Sequence, residues 1–212
     1  MGDLVLTTYD WVPPPPRGYV RDLRVRWALE EAGIPYRTKL LDLGEQKGEE
    51  NRALQPFGQV PGYIDDEVRL FESGAIVLHI GERCEALLPM DPAGRARAIA
   101  WLISALNSIE PMVQDLGGLS AFFANEEWAK LRRPSLEATV RTRLGELAAA
   151  LGTKDYLDGR FTAGDLMMTT VLRIKRDVVE EVPPLRAYLA RCEARPAFER
   201  ALAAQLSDFE QR

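Results

Sequence analysis

Histidine and cysteine are scarce in this 212-residue chain, which has one histidine, His79, and two widely separated cysteines, Cys84 and Cys192. The cysteines form neither a C-x-x-C pair for dithiol chemistry nor a disulfide framework, so we expect a cytoplasmic location. A transition-metal site needs several ligands at close spacing, and a Ser–His–Asp hydrolase needs a histidine as its base. We therefore expect no metal site and no serine hydrolase, and we interpret His79 and both cysteines as structural residues.

An excess of positive charge and a long apolar run are also missing. The chain has 27 Lys and Arg against 32 Asp and Glu, a formal net charge of −5, and its basic residues form no stripe that could follow a phosphate backbone. No apolar run approaches the ~20 residues that span a bilayer. Met1, Gly2 and Asp3 lack the basic flank of a signal peptide. We expect neither a nucleic-acid partner nor membrane insertion.

The first third of the chain alternates strand and helix signals. Its pattern predicts strands over 4–9 and 36–43, a hairpin over 59–71 around the acidic pair at 65–66, and helices over 20–32 and 73–83, with a weakly helical stretch at 44–54 between them. This order predicts a compact α/β unit with one mixed sheet. Residues 11–18 contain four consecutive prolines, which favour a stiff, extended loop.

Strand signals end after residue 88, where a proline-containing linker spans 89–92. Apolar residues follow at helical spacing over 99–109 and again over 136–151. Thr162 and Asp165 form a capping-box pattern, and Pro183-Pro184 and Pro196 mark the starts of further helices. We predict an α/β domain over 1–86 and an all-helical domain over 91–212.

The stretch F-G-Q-V-P, residues 57–61, opens a predicted strand with an X-Pro bond. Such a bond is a candidate cis peptide, and it could present the Val60 N–H and C=O as a free strand edge for an extended peptide ligand. The alternative is an ordinary loop with a trans Pro61, and the sequence leaves both open.

A second informative stretch is F-E-S-G-A-I, residues 71–76. Ser73 is placed as a helix N-cap, where its hydroxyl, the free N–H groups and the helix dipole could hold a carboxylate. Glu72 could hold an amine. Together the two residues could bind an α-amino acid end, although a plain N-cap with a solvated Glu72 fits the same pattern.

These motifs, in this order, resemble those of the cytosolic glutathione transferase family. The helix-1 text R-V-R-W-A-L-E-E-A-G-I-P-Y (24–36) and the capping segment F-T-A-G-D-L (161–166) are also similar to that family, so the resemblance spans nearly the whole chain. It implies a thioredoxin-like N-terminal domain, a helical C-terminal domain and a homodimer. The implied activity is detoxification by transfer of an alkyl or aryl group to the glutathione sulfur.

The resemblance also assigns residues to glutathione. Val60 and Pro61 match the cis-proline turn whose backbone pairs with the cysteinyl part, and Glu72 and Ser73 match the residues that hold the γ-glutamyl end. The remaining candidates are Gln59, a polar residue beside the turn, and Lys47, a partner for the glycine carboxylate.

The catalytic position departs from the family pattern because the proline run lengthens the connection after strand 1. Tyr19 matches the position of Ser- and Cys-type members, and Tyr9 matches that of Tyr-type members. We favour Tyr19, since the helix dipole at the start of helix 1 would also help a thiolate. Trp11, Asn107 and Glu110 are candidates for lining the electrophile pocket.

Two other functions remain open at this point. The atypical proline loop and the missing Ser or Cys at the start of helix 1 also suit a non-catalytic binding or assembly module with the same fold. A glutathione-dependent peroxidase or reductase would use the same site with a different electrophile, although the missing C-x-x-C disfavours its dithiol version.

Overall fold

The computed structural model describes residues 4–210, so Met1–Asp3, on which the signal-peptide expectation depends, lies outside it. The chain divides into two compact units. The first unit is Met1–Leu88 together with Arg195–Arg212, and the second unit is Pro89–Ala194. The strands are β1 (Val5–Tyr9), β2 (Arg37–Leu41), β3 (Gly62–Ile64) and β4 (Arg69–Phe71). The helices are α1 (Asp22–Ala32), α2 (Leu43–Lys47), α3 (Glu49–Leu54), α4 (Ser73–Gly81), α5 (Pro92–Ser104), α6 (Glu110–Ala121), α7 (Glu127–Leu151), α8 (Ala163–Leu172), α9 (Arg176–Glu180), α10 (Pro183–Glu193) and α11 (Pro196–Asp208).

The first unit is built on one mixed sheet with the strand order β2-β1-β3-β4. Strand β1 runs parallel to β2 and antiparallel to β3, and β3 runs antiparallel to β4. Leu6, the second residue of β1, is completely buried. Helices α1 and α4 supply other fully buried side chains, among them Trp27 and Ile76. The predicted mixed sheet is confirmed.

The turn between β3 and β4 is closed by Asp65, within the predicted acidic pair. Its carboxylate accepts hydrogen bonds from the backbone N–H groups of Glu67 at 2.9 Å and Val68 at 2.8 Å. His79 on α4 lies 3.1 Å from the same carboxylate. Although burial alone would raise the pKa of Asp65, these hydrogen bonds hold it well below its usual range. His79 thus has a structural partner.

The proline run differs from the extended loop that we expected. Residues 14–19 form successive turns, in which Arg17 N–H donates to Pro14 C=O at 3.1 Å and Tyr19 N–H donates to Pro16 C=O at 3.0 Å. The reason is that proline fixes φ near a value that turns also use, and its carbonyl still accepts hydrogen bonds. Gly18, with φ of 79°, takes the positive-φ position of the second turn.

The C-terminal helix α11 packs with the first unit, whereas our division placed it in the helical domain. Phe198 stacks edge-on against Trp27 of α1, with ring centroids 4.8 Å apart. Arg26 of α1 donates to Asp22 at 2.7 Å and to Asp208 at the end of α11 at 2.5 Å. The buried guanidinium of Arg26 is thus paired with two carboxylates, one from α1 and one from α11, so that its charge is not buried without a partner.

The second unit contains α5–α10 and no strand among its residues, as predicted. Helix α7 buries the expected apolar series at helical spacing: Leu136, Val140, Leu144, Leu147 and Leu151. The 99–109 series is less regular, since a π-helical turn over Ala105–Ile109 separates α5 from α6, and Ile103 is exposed. No helix within residues 4–210 is both long and apolar enough to cross a membrane.

The capping box at the start of α8 is present as the sequence predicts. Asp165, which is fully buried, accepts hydrogen bonds from the N–H groups of Thr162 and Leu157, each at 2.9 Å, and from the Tyr188 hydroxyl at 3.0 Å. Burial raises the pKa of Asp165, and these hydrogen bonds oppose that rise. The carboxylate therefore joins the α8 N-terminus, the preceding loop and α10.

Replacing Asp165 with Ala should lower the free energy of unfolding by about 3 kcal/mol, because several buried donors lose their acceptor at once. Urea denaturation of the wild type and the variant measures this change. Asp115→Ala, at an exposed position on α6, is the matched control and should change stability by less than about 0.5 kcal/mol. Equal, small losses in both variants would contradict the role given to Asp165.

Candidate functional site

The sheet register brings the two sequence motifs to one edge. Gly62, the first residue of β3, pairs with Thr7 of β1 on one side and with Phe71 of β4 on the other. The preceding Val60-Pro61 and the following Glu72-Ser73 therefore emerge side by side at the same end of the sheet. Two motifs that are separated along the chain form one surface.

The Val60–Pro61 peptide bond is cis. Among residues 4–210, no hydrogen bond uses the Val60 N–H or C=O. A residue with one free donor and one free acceptor on its backbone can pair with an extended peptide in the way that an edge strand does.

The loop before Val60 is held by buried amide side chains that the sequence analysis did not identify. Gln46 donates to the Gly58 carbonyl, and Asn51 donates to the Gln59 carbonyl at 3.2 Å. Both amides are buried although they lie in a highly charged stretch. No periodic pattern indicated this burial, since their acceptors are backbone groups of a loop.

Position 58 in this loop favours glycine. Its φ is +60°, and a Cβ there would lie 3.2 Å from the Arg52 guanidinium carbon. Arg52 is itself anchored, because its Nε donates to the Lys47 carbonyl at 2.9 Å. The loop conformation and the end of α2 are therefore linked, while the Lys47 side chain is exposed.

At the second motif, Ser73 is the first residue of α4 and not its N-cap, which corrects our expectation. The N-cap is Glu72, with φ of 68° and ψ of 113°, the one non-glycine residue with positive φ in the described range. This conformation costs energy, and residues strained in this way cluster at active sites, ligand clamps and switch regions. The first N–H groups of α4 have no intrahelical acceptor and point towards this end of the helix.

The Ser73 hydroxyl contacts Arg24, a residue to which the sequence analysis assigned no role beyond its place in helix 1. Arg24 of α1 donates from Nη1 to Ser73 Oγ at 3.2 Å, and the two residues are 4% and 5% exposed. Because the oxygen accepts from Arg24, its proton is directed elsewhere and can be donated to an anion. The separation of 49 positions along the chain leaves no local signal of this pair.

The two tyrosines considered for catalysis occupy different environments. Tyr19 is 45% exposed, in the turn that leads into α1, three positions before that helix begins. Tyr9 is half-buried at the end of β1. Burial and then the charge of Asp22 raise the pKa of Tyr9, opposed by Arg21 and by a hydrogen bond with Gln46. The Tyr9 hydroxyl thus already has a hydrogen-bond partner, Gln46, within the first unit.

The other predicted residues are distributed over both units. Gln59 is exposed in the loop before Val60, and Trp11 lies at the surface of the first unit. Asn107 is exposed on the π-helical turn of the second unit, and Glu110 is a buried residue at the start of α6. Among residues 4–210, no group of three or more His, Cys, Asp or Glu side chains could hold a metal ion.

Comparison with known proteins gives a consistent result. The model of the glutathione S-transferase N-terminal domain matches residues 4–82. Glutathione S-transferase F10 of Arabidopsis thaliana is 31% identical over 147 residues, covering 64% of this chain and 66% of the relative. The disulfide-bond oxidoreductase YfcG of Escherichia coli is 30% identical over 109 residues, covering 47% of this chain and 49% of the relative.

Solved structures extend this likeness over both units. A glutathione transferase family member from Pseudomonas fluorescens, crystallised with two glutathione molecules bound, superposes with a TM-score of 0.81 at 25% identity, covering 95% of this chain and 92% of that one. The likeness confirms a thioredoxin-like first domain and an all-helical second part. With the N-terminal model matched across the sheet and both motifs, the chain belongs to the glutathione transferase family.

Proposed function

We propose that the protein is a glutathione transferase, which binds glutathione on the first unit and transfers a hydrophobic electrophile to its sulfur. The observation that carries this proposal is the side-by-side placement of the Val60 backbone and the α4 N-terminus. One element suits the peptide backbone of glutathione, and the other suits its free α-amino acid end.

Each binding residue has a distinct chemical role in this proposal. Val60 and Pro61 form the edge that pairs with the cysteinyl part. Ser73 and the α4 N–H groups hold the γ-glutamyl carboxylate, and the exposed carboxylate of Glu72 holds its ammonium group. Gln59 and Lys47 extend the site, with Lys47 assigned to the glycine carboxylate.

Activation of the thiol is assigned to Tyr19. A free thiol has a pKa of about 8.5, and lowering it by two units requires about 2.7 kcal/mol of preference for the thiolate. One hydrogen bond to a charged group contributes about 1.5 to 3 kcal/mol, so a phenolic donor together with the N-terminus of α1 is sufficient. The thiolate sulfur then donates an electron pair to the electrophilic carbon and forms the C–S bond. The bond from that carbon to the leaving group breaks, and the leaving group departs with the electron pair of that bond.

Trp11, exposed on the first unit, is assigned to contact with the electrophile, while Asn107 and Glu110 of the second unit stay predictions from the sequence. The aromatic ring of Trp11 suits an apolar or aromatic substrate. We further propose a homodimer and a role in detoxification, which family membership favours.

Replacing Ser73 with Ala should weaken glutathione binding about tenfold, because a charge-assisted hydrogen bond to the carboxylate is lost and Arg24 loses an acceptor. Isothermal titration calorimetry with glutathione measures the dissociation constant. Ser207→Ala, at an exposed position on α11, is the control and should bind like the wild type. An unchanged constant in Ser73→Ala would contradict the γ-glutamyl assignment.

Replacing Tyr19 with Phe should abolish most thiolate formation while glutathione binding stays nearly unchanged, since the phenolic donor acts on the sulfur alone. The ultraviolet absorbance of bound glutathione, followed across pH, reports the thiolate. Tyr9→Phe is the paired variant and should keep the thiolate signal. Loss of the signal in Tyr9→Phe alone would transfer the catalytic role to Tyr9.

The oxidoreductase YfcG among the relatives favours a second candidate, glutathione-dependent reduction of a disulfide or peroxide. The same site would serve, with a sulfur or oxygen electrophile in place of carbon. Cys84 is half-buried after α4 and Cys192 is buried on α10, so the two cysteines lie in different units and form no dithiol pair. Turnover of a disulfide but not of an aryl halide would support this candidate, and turnover of neither would indicate a binding module.

A further inference from the structure

Three buried amide side chains surround the loop that precedes Val60. We call Gln46, Asn51 and Gln55 the amide cluster; their exposed fractions are 6%, 5% and 2%. They come from α2, α3 and the residue that ends α3. Most buried polar side-chain atoms in proteins form hydrogen bonds, so the partners of these amides indicate what they hold in place.

Two members of the cluster act as donors to the loop. Gln46 Nε2 donates to the Gly58 carbonyl. Asn51 Nδ2 donates to the carbonyls of Gln46 at 2.8 Å and Gln59 at 3.2 Å, which links the two donors. The Asn51 Oδ1 is buried without a hydrogen-bond partner within the described part of the chain. The orientation of Asn51 is therefore set by donation alone.

The third member acts mainly as an acceptor. Gln55 Oε1 accepts hydrogen bonds from the Phe57 N–H at 2.8 Å and the Gln59 N–H at 3.3 Å. The cluster thus binds both carbonyls and amides of residues 57–59, which belong to no helix or strand. Val60 follows directly, and its backbone groups form no hydrogen bond among residues 4–210.

We propose that Gln46, Asn51 and Gln55 are positioning residues, which hold the 57–59 loop so that Val60 presents a pre-ordered backbone edge to glutathione. A loop fixed before binding does not lose its conformational freedom when the ligand arrives, so affinity rises without any new ligand contact. The inference rests on the proposed binding of glutathione at Val60. It adds three residues, none of which needs to contact the ligand.

The opposite hydrogen-bonding roles of two members give a specific test. Asn51→Asp replaces the donor with an acceptor that faces two carbonyl oxygens, so glutathione affinity should fall at least about tenfold. Gln55→Glu keeps the acceptor for the Phe57 and Gln59 N–H groups and loses only the 3.5 Å donation to Gln59 Oε1, so affinity should fall clearly less than in Asn51→Asp. Asn125→Asp makes the same chemical change in an exposed loop and is the control, expected to bind like the wild type.

Isothermal titration with glutathione separates positioning from simple loss of folded protein. A purely structural role lowers the binding stoichiometry at an unchanged dissociation constant, whereas positioning changes the constant at full stoichiometry. Unchanged affinity in Asn51→Asp, or equal losses in Asn51→Asp and Gln55→Glu, would overturn the proposal.

If Asn51→Asp does not fold, Gln46→Met provides the second variant, because it removes one donor and keeps the side-chain volume. It should weaken affinity at full stoichiometry, and wild-type affinity would overturn the proposal. Absence of glutathione binding by the wild type would refute the proposed function itself. The two failures are distinguishable. If only the positioning role is wrong, the wild type binds glutathione and the variants bind it equally well.

Discussion

The position of Gly62 between β1 and β4 is the constraint on which the proposed site depends. Its neighbours across the sheet are Thr7 and Phe71, and a Cβ at this position would lie 2.5 Å from Leu54 and 2.9 Å from the Thr7 hydroxyl oxygen. The close packing of α3 against the sheet thus requires glycine here. Gly62 is also the first residue of β3 and pairs with Phe71, the last residue of β4, so the residues before it emerge beside the α4 N-terminus.

Helix α1 supports this edge with two buried arginines that have different partners. Arg26 contacts Asp22 and Asp208, and so holds α11 against the first unit. Arg24, two residues earlier, points instead to the Ser73 hydroxyl. Burial raises the pKa of Asp22, and its attraction to Arg26 opposes this rise. One helix therefore stabilises the first unit with one guanidinium and contacts the Ser73 hydroxyl with the other.

Local patterns were sufficient for the parts of the fold that depend on near neighbours. Strand signals in the first third predicted the sheet, helical spacing predicted the buried face of α7, and Thr162 with Asp165 predicted a cap that the structure contains. They failed where distant residues decide the outcome. Ser73 was placed one position away from its role because the end of β4 sets Glu72 as the N-cap. No local pattern indicated the roles of Gln46, Asn51, Gln55 and Arg24, since their partners are loop carbonyls, loop amides or a serine 49 positions away.

The central claim is that glutathione binds where the Val60 backbone and the α4 N-terminus meet. Amide chemical shifts recorded by nuclear magnetic resonance while glutathione is added test this claim most directly. The largest shifts should occur at Val60, Ser73 and Gly74, and they should saturate together with a single dissociation constant. Shifts confined to the second unit, or no shifts at saturating glutathione, would contradict the account.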